Sequence, residues 1–518
     1  MATSFVESPT GDITAEAKAA VRSHIRGSGL LLAGRIISFG LTALTQVLIV
    51  RHLSTRDFSA WAYAFSAALL LQALSSFGFQ EAVPRFVSIY HERRDYPRMF
   101  GTMLLSAGLI ALSSALVIAV FFCFPGKLLA LLRQQNESLA VLSILIFVVP
   151  IEGFDGILMG IFACLASPRA IFFRRYILAP SLKMAVVLLL IAGKASVLFL
   201  AYGYVGAGVV GVLIYTWVLL RHLHCEGFLA HLRRDGIRLP YRELLSFVPP
   251  MMTSDLLIVL ADAGLVLLVG YYSGLREAAL LRMVIPIAAT NYIIGNMTAI
   301  LYMPAAARLL ANNDREGLRH LYWRTATWVA VLTFPVFVAT FAFAQPLTIA
   351  LYGDRYADAA LILAIVSAGN YFSAMWGFNG VTLKALNKAR HVVTCNVVTA
   401  AITVALALIL IPRYGVLGAA ITDAVAAVVL SILRQAALKL AIGFEILDIK
   451  FLATYLFIVG AATPLLIVRS VVTAHLFFGA TLGLMSMAAL LFATRKALRV
   501  QEVFPESVRL ARVARFFA

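Results

Sequence analysis

The sequence predicts an all-α polytopic membrane protein: about fourteen transmembrane helices, two parallel six-helix lobes around a central cavity, and a C-terminal helix pair. Three observations predict it. The 518 residues are 62% hydrophobic and only 13% charged, whereas a soluble domain carries roughly 25% charged residues. The apolar residues fall in long runs parted by short polar breaks, and about 20 apolar residues cross a bilayer. A glycine-rich segment also recurs after an interval holding six such runs. A soluble globular protein is excluded.

Residues 1–27 form a polar N-terminal segment containing Glu7, Asp12 and Glu16. The first apolar run has no small-residue cleavage site after it, so no cleaved signal peptide is expected. The first lobe, 28–220, holds spans one to six at about residues 29–50, 60–79, 100–124, 139–164, 176–193 and 196–220. A basic loop, 221–243, leads to the second lobe, 244–440. Its spans seven to twelve lie at about 247–270, 279–302, 325–345, 359–381, 392–411 and 416–433. Spans thirteen and fourteen, about 451–468 and 474–493, occupy 441–493. The tail, 494–518, sets Arg509, Arg512 and Arg515 three apart with Leu510, Val513, Phe516 and Phe517 between them. That pattern suits an amphipathic helix lying on membrane lipids.

An even number of spans puts both termini on one side. That side collects 31 of the 43 Lys and Arg residues and the other side nine, with three inside spans. Basic residues gather in cytoplasmic loops, so both termini are expected in the cytoplasm. The net charge of +18 then signals orientation, and no nucleic-acid partner is implied. Pairs such as Arg93-Arg94, Arg174-Arg175 and Arg233-Arg234 read as solvated or headgroup contacts. The longest connections on the other side, Pro125 to Ser138 and Gln345 to Asp358, are too short for an extramembrane domain. Cys123, Cys164, Cys225 and Cys395 show no paired spacing. His222, His224, Cys225 and His231 match no strong metal site. No metal or cofactor is expected.

Tyr202-Gly203-Tyr204-Val205-Gly206-Ala207 recurs as Tyr414-Gly415-Val416-Leu417-Gly418-Ala419, 212 residues later. Val47 to Val50, followed by Ser54 and Asp57, is echoed by Val266 to Val269, followed by Ser273 and Glu277, at an offset of 219 to 220. Such similar offsets indicate duplication of a six-helix unit. Because six is even, the copies are parallel, related by an axis along the membrane normal. A central cleft should lie between them.

A charge at the bilayer centre costs on the order of 2.5 to 3.5 kcal/mol on insertion scales, so each needs a partner, water or a ligand. Eight lie within spans: Arg35, Glu152, Asp155, Lys183, Asp255, Asp262, Arg282 and Asp423. In span one, Arg35, Ser38, Thr42 and Gln46 follow at three- and four-residue steps and share a face. Asp255 and Asp262 share one on span seven, as do Arg282, Ala289 and Asn296 on span eight. These faces are expected to line water. Guanidinium presents a planar fork that matches phosphate oxygens, which makes Arg35 and Arg282 the candidate phosphate ligands. Structural pairing with Asp255 or Asp262 is the alternative. Glu152 and Asp155 are placed to pair with Lys183 or to hold a coupling cation, H+ or Na+. Asp423 reads as a helix-end contact, and Gly156 and Gly160 as close helix packing. Pro249-Pro250 and Pro286 remove backbone donors and should bend or break spans seven and eight.

Three segments carry a resemblance: Ile49-Val50-Arg51-His52-Leu53-Ser54-Thr55-Arg56-Asp57-Phe58, Leu351-Tyr352-Gly353-Asp354-Arg355-Tyr356-Ala357-Asp358-Ala359, and Leu410-Ile411-Pro412-Arg413-Tyr414-Gly415-Val416-Leu417-Gly418-Ala419-Ala420. Through them the chain resembles, nearly end to end, the polysaccharide and O-antigen exporters, the Wzx-type flippases of the multidrug, oligosaccharidyl-lipid and polysaccharide exporter superfamily. Ser59 stands where that family usually has glycine. The resemblance implies a cavity lined by spans one, two, seven and eight, with alternating access and no ATP. It implies a transporter rather than an enzyme. The substrate would be a polyprenyl-diphosphate-linked oligosaccharide, flipped across the bacterial cytoplasmic (inner) membrane for polysaccharide, O-antigen or exopolysaccharide biosynthesis. Polysaccharide polymerase or glycosyltransferase machinery would be the partner. A lipid II-type flippase and a multidrug/cation antiporter remain open, although the twelve-helix form of the latter lacks the last helix pair. A membrane glycosyltransferase or polymerase would need a larger extramembrane region.

Overall fold

A computed structural model describes residues 33–76, 78–124, 136–165, 172–228, 236–376, 378–386 and 388–443, with isolated helical positions between 456 and 489. Spans thirteen and fourteen, the polar N-terminal segment and the basic tail otherwise lie outside the described residues. Among the described residues every regular element is helical. Ten helices among the described residues are long and apolar enough to cross a membrane.

Span one is α1 (Ala33–His52). Ser54 then caps α2 (Thr55–Ser76): the Asp57 N–H donates to Ser54 Oγ at 3.1 Å, while the Ser54 hydroxyl donates to the Asp57 carboxylate at 2.7 Å. This satisfies an otherwise orphaned helix-end donor. Helix α3 (Phe79–Glu92) restarts at Gly78, whose φ of 71° is left-handed. Helix α4 (Tyr96–Cys123) is capped by Asp95. Span four is α5 (Asn136–Leu145) followed by α6 (Val148–Leu165). Gly156 and Gly160 of α6 lie so close to Gln80 and Pro84 of α3 that a Cβ at either would fall within 3 Å of them. Span five opens as a π-helical segment, Phe172–Leu178, before α7 (Ala179–Ala192), and span six is α8 (Val197–Cys225).

Span seven is α9 (Tyr241–Ser273), which runs through Pro249-Pro250 as one helix, so the expected break there is not found. Span eight does break. Helix α10 (Leu275–Ala288) gives way three residues past Pro286 to a 3-10 turn, Ala289–Tyr292, before α11 (Ile293–Ala311). Helix α12 (Arg315–Phe337) likewise loosens after Pro335 into a π-helical segment, Val338–Ala342. The stretch from Gln345 to Asp358, expected as a bare connection, contains α13 (Ala344–Tyr352) and a 3-10 turn. Span ten is α14 (Ala359–Met375) and α15 (Asn379–Ala385).

Spans eleven and twelve form a tight hairpin, α16 (Ala389–Ile442), that reverses at Gly415, φ 57° and ψ −134°. In a straight helix residues 38 apart would be separated by about 57 Å, yet Arg434 Nη2 donates to Asn396 Oδ1 at 3.0 Å. A Cβ on Gly418 would sit 2.3 Å from the Leu410 carbonyl. The two copies of the glycine repeat therefore differ in backbone: Gly203 lies inside α8, packed on Val186, while Gly415 makes a turn.

Helices α2 to α8 pack chiefly on one another, and so do α9 to α16; the two groups meet mainly where α2 lies against α9 and α10. At that seam Gly270 accepts the Tyr63 ring, which a Cβ would strike at 2.1 Å. The apolar core is distributed unevenly along the bundle. One cluster crosses between the groups and includes Ile49, Val50, Trp61 and Tyr63 with Val266, Val269, Met283, Tyr352 and Tyr356. Towards the end that carries the basic loops stand two further cores, one around Phe79, Tyr90, Phe100 and Phe162 that also takes in Leu244 of α9, the other around Tyr302, Tyr322, Trp323 and Phe334. The core that joins the halves thus lies at the far end, while at the basic end the start of α9 meets α3 and α4, with Glu243 accepting from the Tyr90 hydroxyl and standing 3.8 Å from Arg98.

Candidate functional site

Against the core that joins the halves, whose Phe58, Trp61 and Ala62 form part of its wall, lies a cationic pocket of 170 Å³ between α1, α2, α7, α8 and α10. Lys183 and Arg282 are its charged lining residues, together with Thr42, Thr45 and Gln46 of α1 and the aromatic faces of Trp61, Phe65 and Tyr204. Arg282, 16% exposed, lies over the Phe65 ring at 5.4 Å, and its far side meets Asp262 at 3.9 Å. Lys183 stands 5.7 Å over the Tyr204 ring and 3.5 Å from Glu152. Each cation is paired with a carboxylate that is not itself on the pocket wall, so the groups an entering anion touches are the cations.

The carboxylates gather elsewhere. Asp262 and Asp423 line a separate acidic pocket of 350 Å³ between α9, α14 and α16, with Asn370, Asn396, Thr399 and Thr403. There the Tyr292 hydroxyl donates to Asn370 Oδ1 at 3.1 Å. Asp423, expected as a helix-end contact, instead sits well inside the second arm of the hairpin. Asp255 belongs to α9, but its side chain lies outside the described residues.

Arg35 and Arg282 are not brought together. Arg35 is seven residues, about 10 Å, nearer the start of α1 than Thr42, and its Nη1 reaches the Asn296 carbonyl at 3.5 Å. It is on the wall of neither pocket. Ser38 is half-buried, and the Asn296 side chain is exposed.

Asp155 does not share Lys183 with Glu152; it pairs with Arg174. The guanidinium of Arg174, read from the sequence as half of a solvated basic pair, is 4% exposed and lies over the Tyr215 ring. The π-helical segment explains the reversal, because its i→i+5 bonding adds a residue to the turn and rotates the side chain inward. Arg434, placed by the sequence just beyond span twelve, is half-buried and is a second cation that hydropathy missed; it holds the two arms of the hairpin together through Asn396. His222 bonds the Leu165 carbonyl at 2.8 Å, and no metal-binding group occurs among the described residues.

At the far end the three segments that carry the resemblance converge. Arg51, closing α1, donates to the Leu351 carbonyl at 2.8 Å and to that of Ala350 at the end of α13. Arg355 answers in the opposite direction, donating to the carbonyls of Val50 and, at 3.0 Å, Arg51. Arg276 meets Asp358 at 3.3 Å, and the Val416 N–H of the hairpin turn donates to the Glu277 carboxylate at 3.0 Å. None of this was assigned from the sequence, although every residue except Arg276 and Glu277 lies in or beside a quoted segment.

The model of a family of polysaccharide biosynthesis proteins matches residues 48–361, which takes in α2 to α13, the reciprocal clasp of Arg51 and Arg355, and all but the start of the cationic pocket's wall. The chain belongs to the polysaccharide biosynthesis protein family. No curated protein matches the chain significantly in sequence. Among solved structures, the lipid II flippase MurJ in an inward closed conformation aligns with a TM-score of 0.70 at 12% identity, over 92% of this chain and 99% of that one. An inward-facing multidrug resistance MATE transporter of the MOP superfamily aligns at 0.65 and 15% identity, over 78% and 94%. A MOP superfamily transporter from Pyrococcus furiosus, described as having a binding pocket of reverse polarity, aligns at 0.58 and 15%, over 81% and 95%. The family member thus has the fold of MOP transporters, which are multi-pass membrane proteins.

Proposed function

We propose that the protein flips a polyprenyl-diphosphate-linked oligosaccharide from the cytoplasmic to the outer leaflet of the bacterial cytoplasmic membrane, for polysaccharide, O-antigen or exopolysaccharide assembly. It does so as a non-enzymatic transporter, by rocking of the lobes 28–220 and 244–440, with both termini in the cytoplasm. The observation that carries this reading is the pocket lined by Lys183 and Arg282 with no carboxylate on its wall, set where the two halves meet. Guanidinium and ammonium together suit a diphosphate. Carrying about two negative charges outward across roughly 100 mV, inside negative, releases on the order of 4 to 5 kcal/mol. The acidic pocket of Asp262 and Asp423 supports coupling to H+ or Na+. Handing the product to polysaccharide polymerase or glycosyltransferase machinery follows from its destination.

The test is depletion of the protein followed by mass spectrometry of lipid extracts. A lipid-linked glycan should accumulate, confined to the inner leaflet. If instead lipid II accumulates, the reading shifts to a lipid II flippase. If no lipid-linked precursor accumulates and sensitivity to cationic drugs rises, the protein is a drug/cation antiporter.

A further inference from the structure

Two apolar cavities flank the two polar pockets, and they differ in the charge beside them. The larger, 620 Å³, lies between α1 and the helices of spans eight and nine, and shares Thr42, Gln46 and Pro286 with the cationic pocket. The smaller, 310 Å³, lies between α9 and α16 and shares Leu257, Ala261, Ala400 and Thr403 with the acidic pocket. An amphiphile with an anionic head and a hydrocarbon tail is attracted at the first junction and repelled by two carboxylates at the second.

The larger cavity is built into the sequence. Phe39, Thr42, Ala43, Gln46 and Val47 line it at helical spacing, so one stripe of α1 forms its wall. The opposite wall contains Pro286 and Pro335, and both helices lose regular geometry just beyond them, at Ala289–Tyr292 and Val338–Ala342. Helix α1 is tied to the second group above and below the cavity, by Arg51 to Ala350 and Leu351 and by Arg35 to Asn296. It crosses the cavity as a strap. The volume lies within the roughly 300 to 1,000 Å³ of ligand sites.

We propose that this cavity seats the first isoprene units of the lipid carrier while Arg282 and Lys183 hold its diphosphate. The inference rests on the lipid-linked reading above and adds where the chain goes: beneath α1, not along the lipid-facing surface.

The experiment uses the purified full-length protein in nanodiscs, a benzophenone-bearing farnesyl diphosphate as probe, and inorganic diphosphate as the tail-less reference. Crosslinks should map to 39–47, 286–294 or 335–341. The probe should bind at least about tenfold more tightly than inorganic diphosphate, since each buried methylene adds to affinity. Ala339→Phe, which fills the cavity, should abolish that gain and leave inorganic diphosphate binding unchanged. Ala43→Leu is a milder variant of the same kind, used should Ala339→Phe fail to fold. Arg282→Ala should weaken both ligands. Crosslinks to Leu408 in the smaller cavity or to exposed Leu112 and Leu116 of α4, or equal competition by a diacyl phosphatidate, would overturn the proposal while leaving the flippase reading intact. Failure of the wild type to bind either diphosphate would overturn both.

Discussion

The guanidinium of Arg174 has exchanged water for Asp155 and the Tyr215 ring. Arg174 is buried but Asp155 is 38% exposed, so stranding one of them costs less than the about 3 to 5 kcal/mol of a fully buried pair, yet more than replacing both with neutral groups. Arg174→Leu should therefore lower the thermal unfolding temperature markedly, and Arg174→Leu combined with Asp155→Leu should recover most of the loss. Arg282 is different, because one side of it faces an open pocket. Arg282→Ala should abolish export with membrane abundance unchanged. Arg282→Lys keeps the charge but loses the planar fork and a charged hydrogen bond worth about 1.5 to 3 kcal/mol, so diphosphate binding should fall about tenfold or more; an unimpaired Lys variant would remove Arg282 from the phosphate site. Arg35, set apart from the pocket, should tolerate Lys as the anchor it makes to the Asn296 carbonyl. Of these residues the sequence displayed Arg35, Lys183 and Arg282 because each interrupts an apolar run. It hid Arg174 and Arg434 because a cation beside an apolar run is read as the run's end, and only tertiary pairing shows that the helix continues past it.

At the scale of elements, the hairpin of α16 depends on a single left-handed residue. Gly415 combines φ 57° and ψ −134° with a carboxylate that a Cβ would meet at 2.5 Å. Gly415→Ala should cost about 1 to 3 kcal/mol, measured as a lower unfolding temperature and a smaller folded yield, with Gly206→Ala, in open space inside α8, as a neutral control. The prolines divided. Pro286 broke its helix where the chain could continue as a 3-10 turn, while α9 continues through Pro249-Pro250 although each removes one intrahelical hydrogen bond. Helix positions were legible from hydropathy because length and apolarity are local. The π-helical segment that turns Arg174 inward is set by packing partners, which no local pattern encodes.

For the molecule as a whole, the family and the helical membrane fold could be read from the sequence, but the conformational state could not. The core that joins the halves lies at the far end, where Arg51 and Arg355 also cross between them. For the proposed transport cycle the clasp of Arg51 and Arg355 must release when the far end opens. In a variant lacking the four native cysteines and carrying Thr42→Cys, an impermeant maleimide added from outside should label poorly. Adding Arg51→Ala with Arg355→Ala should raise labelling several-fold; no change would mean that the packing of α2 on α9 and α10 alone holds that end shut.

The clasp has one property of a different kind. Its arginines grip main-chain oxygens at the ends of α1 and α13, and a carbonyl is present whatever side chain occupies the position. Drift at positions 50, 350 and 351 can therefore proceed without loss of the acceptors, provided the helices still end there. Only the two donors need to be inherited as residues, so a lock of this design asks for very little sequence identity between proteins that share it.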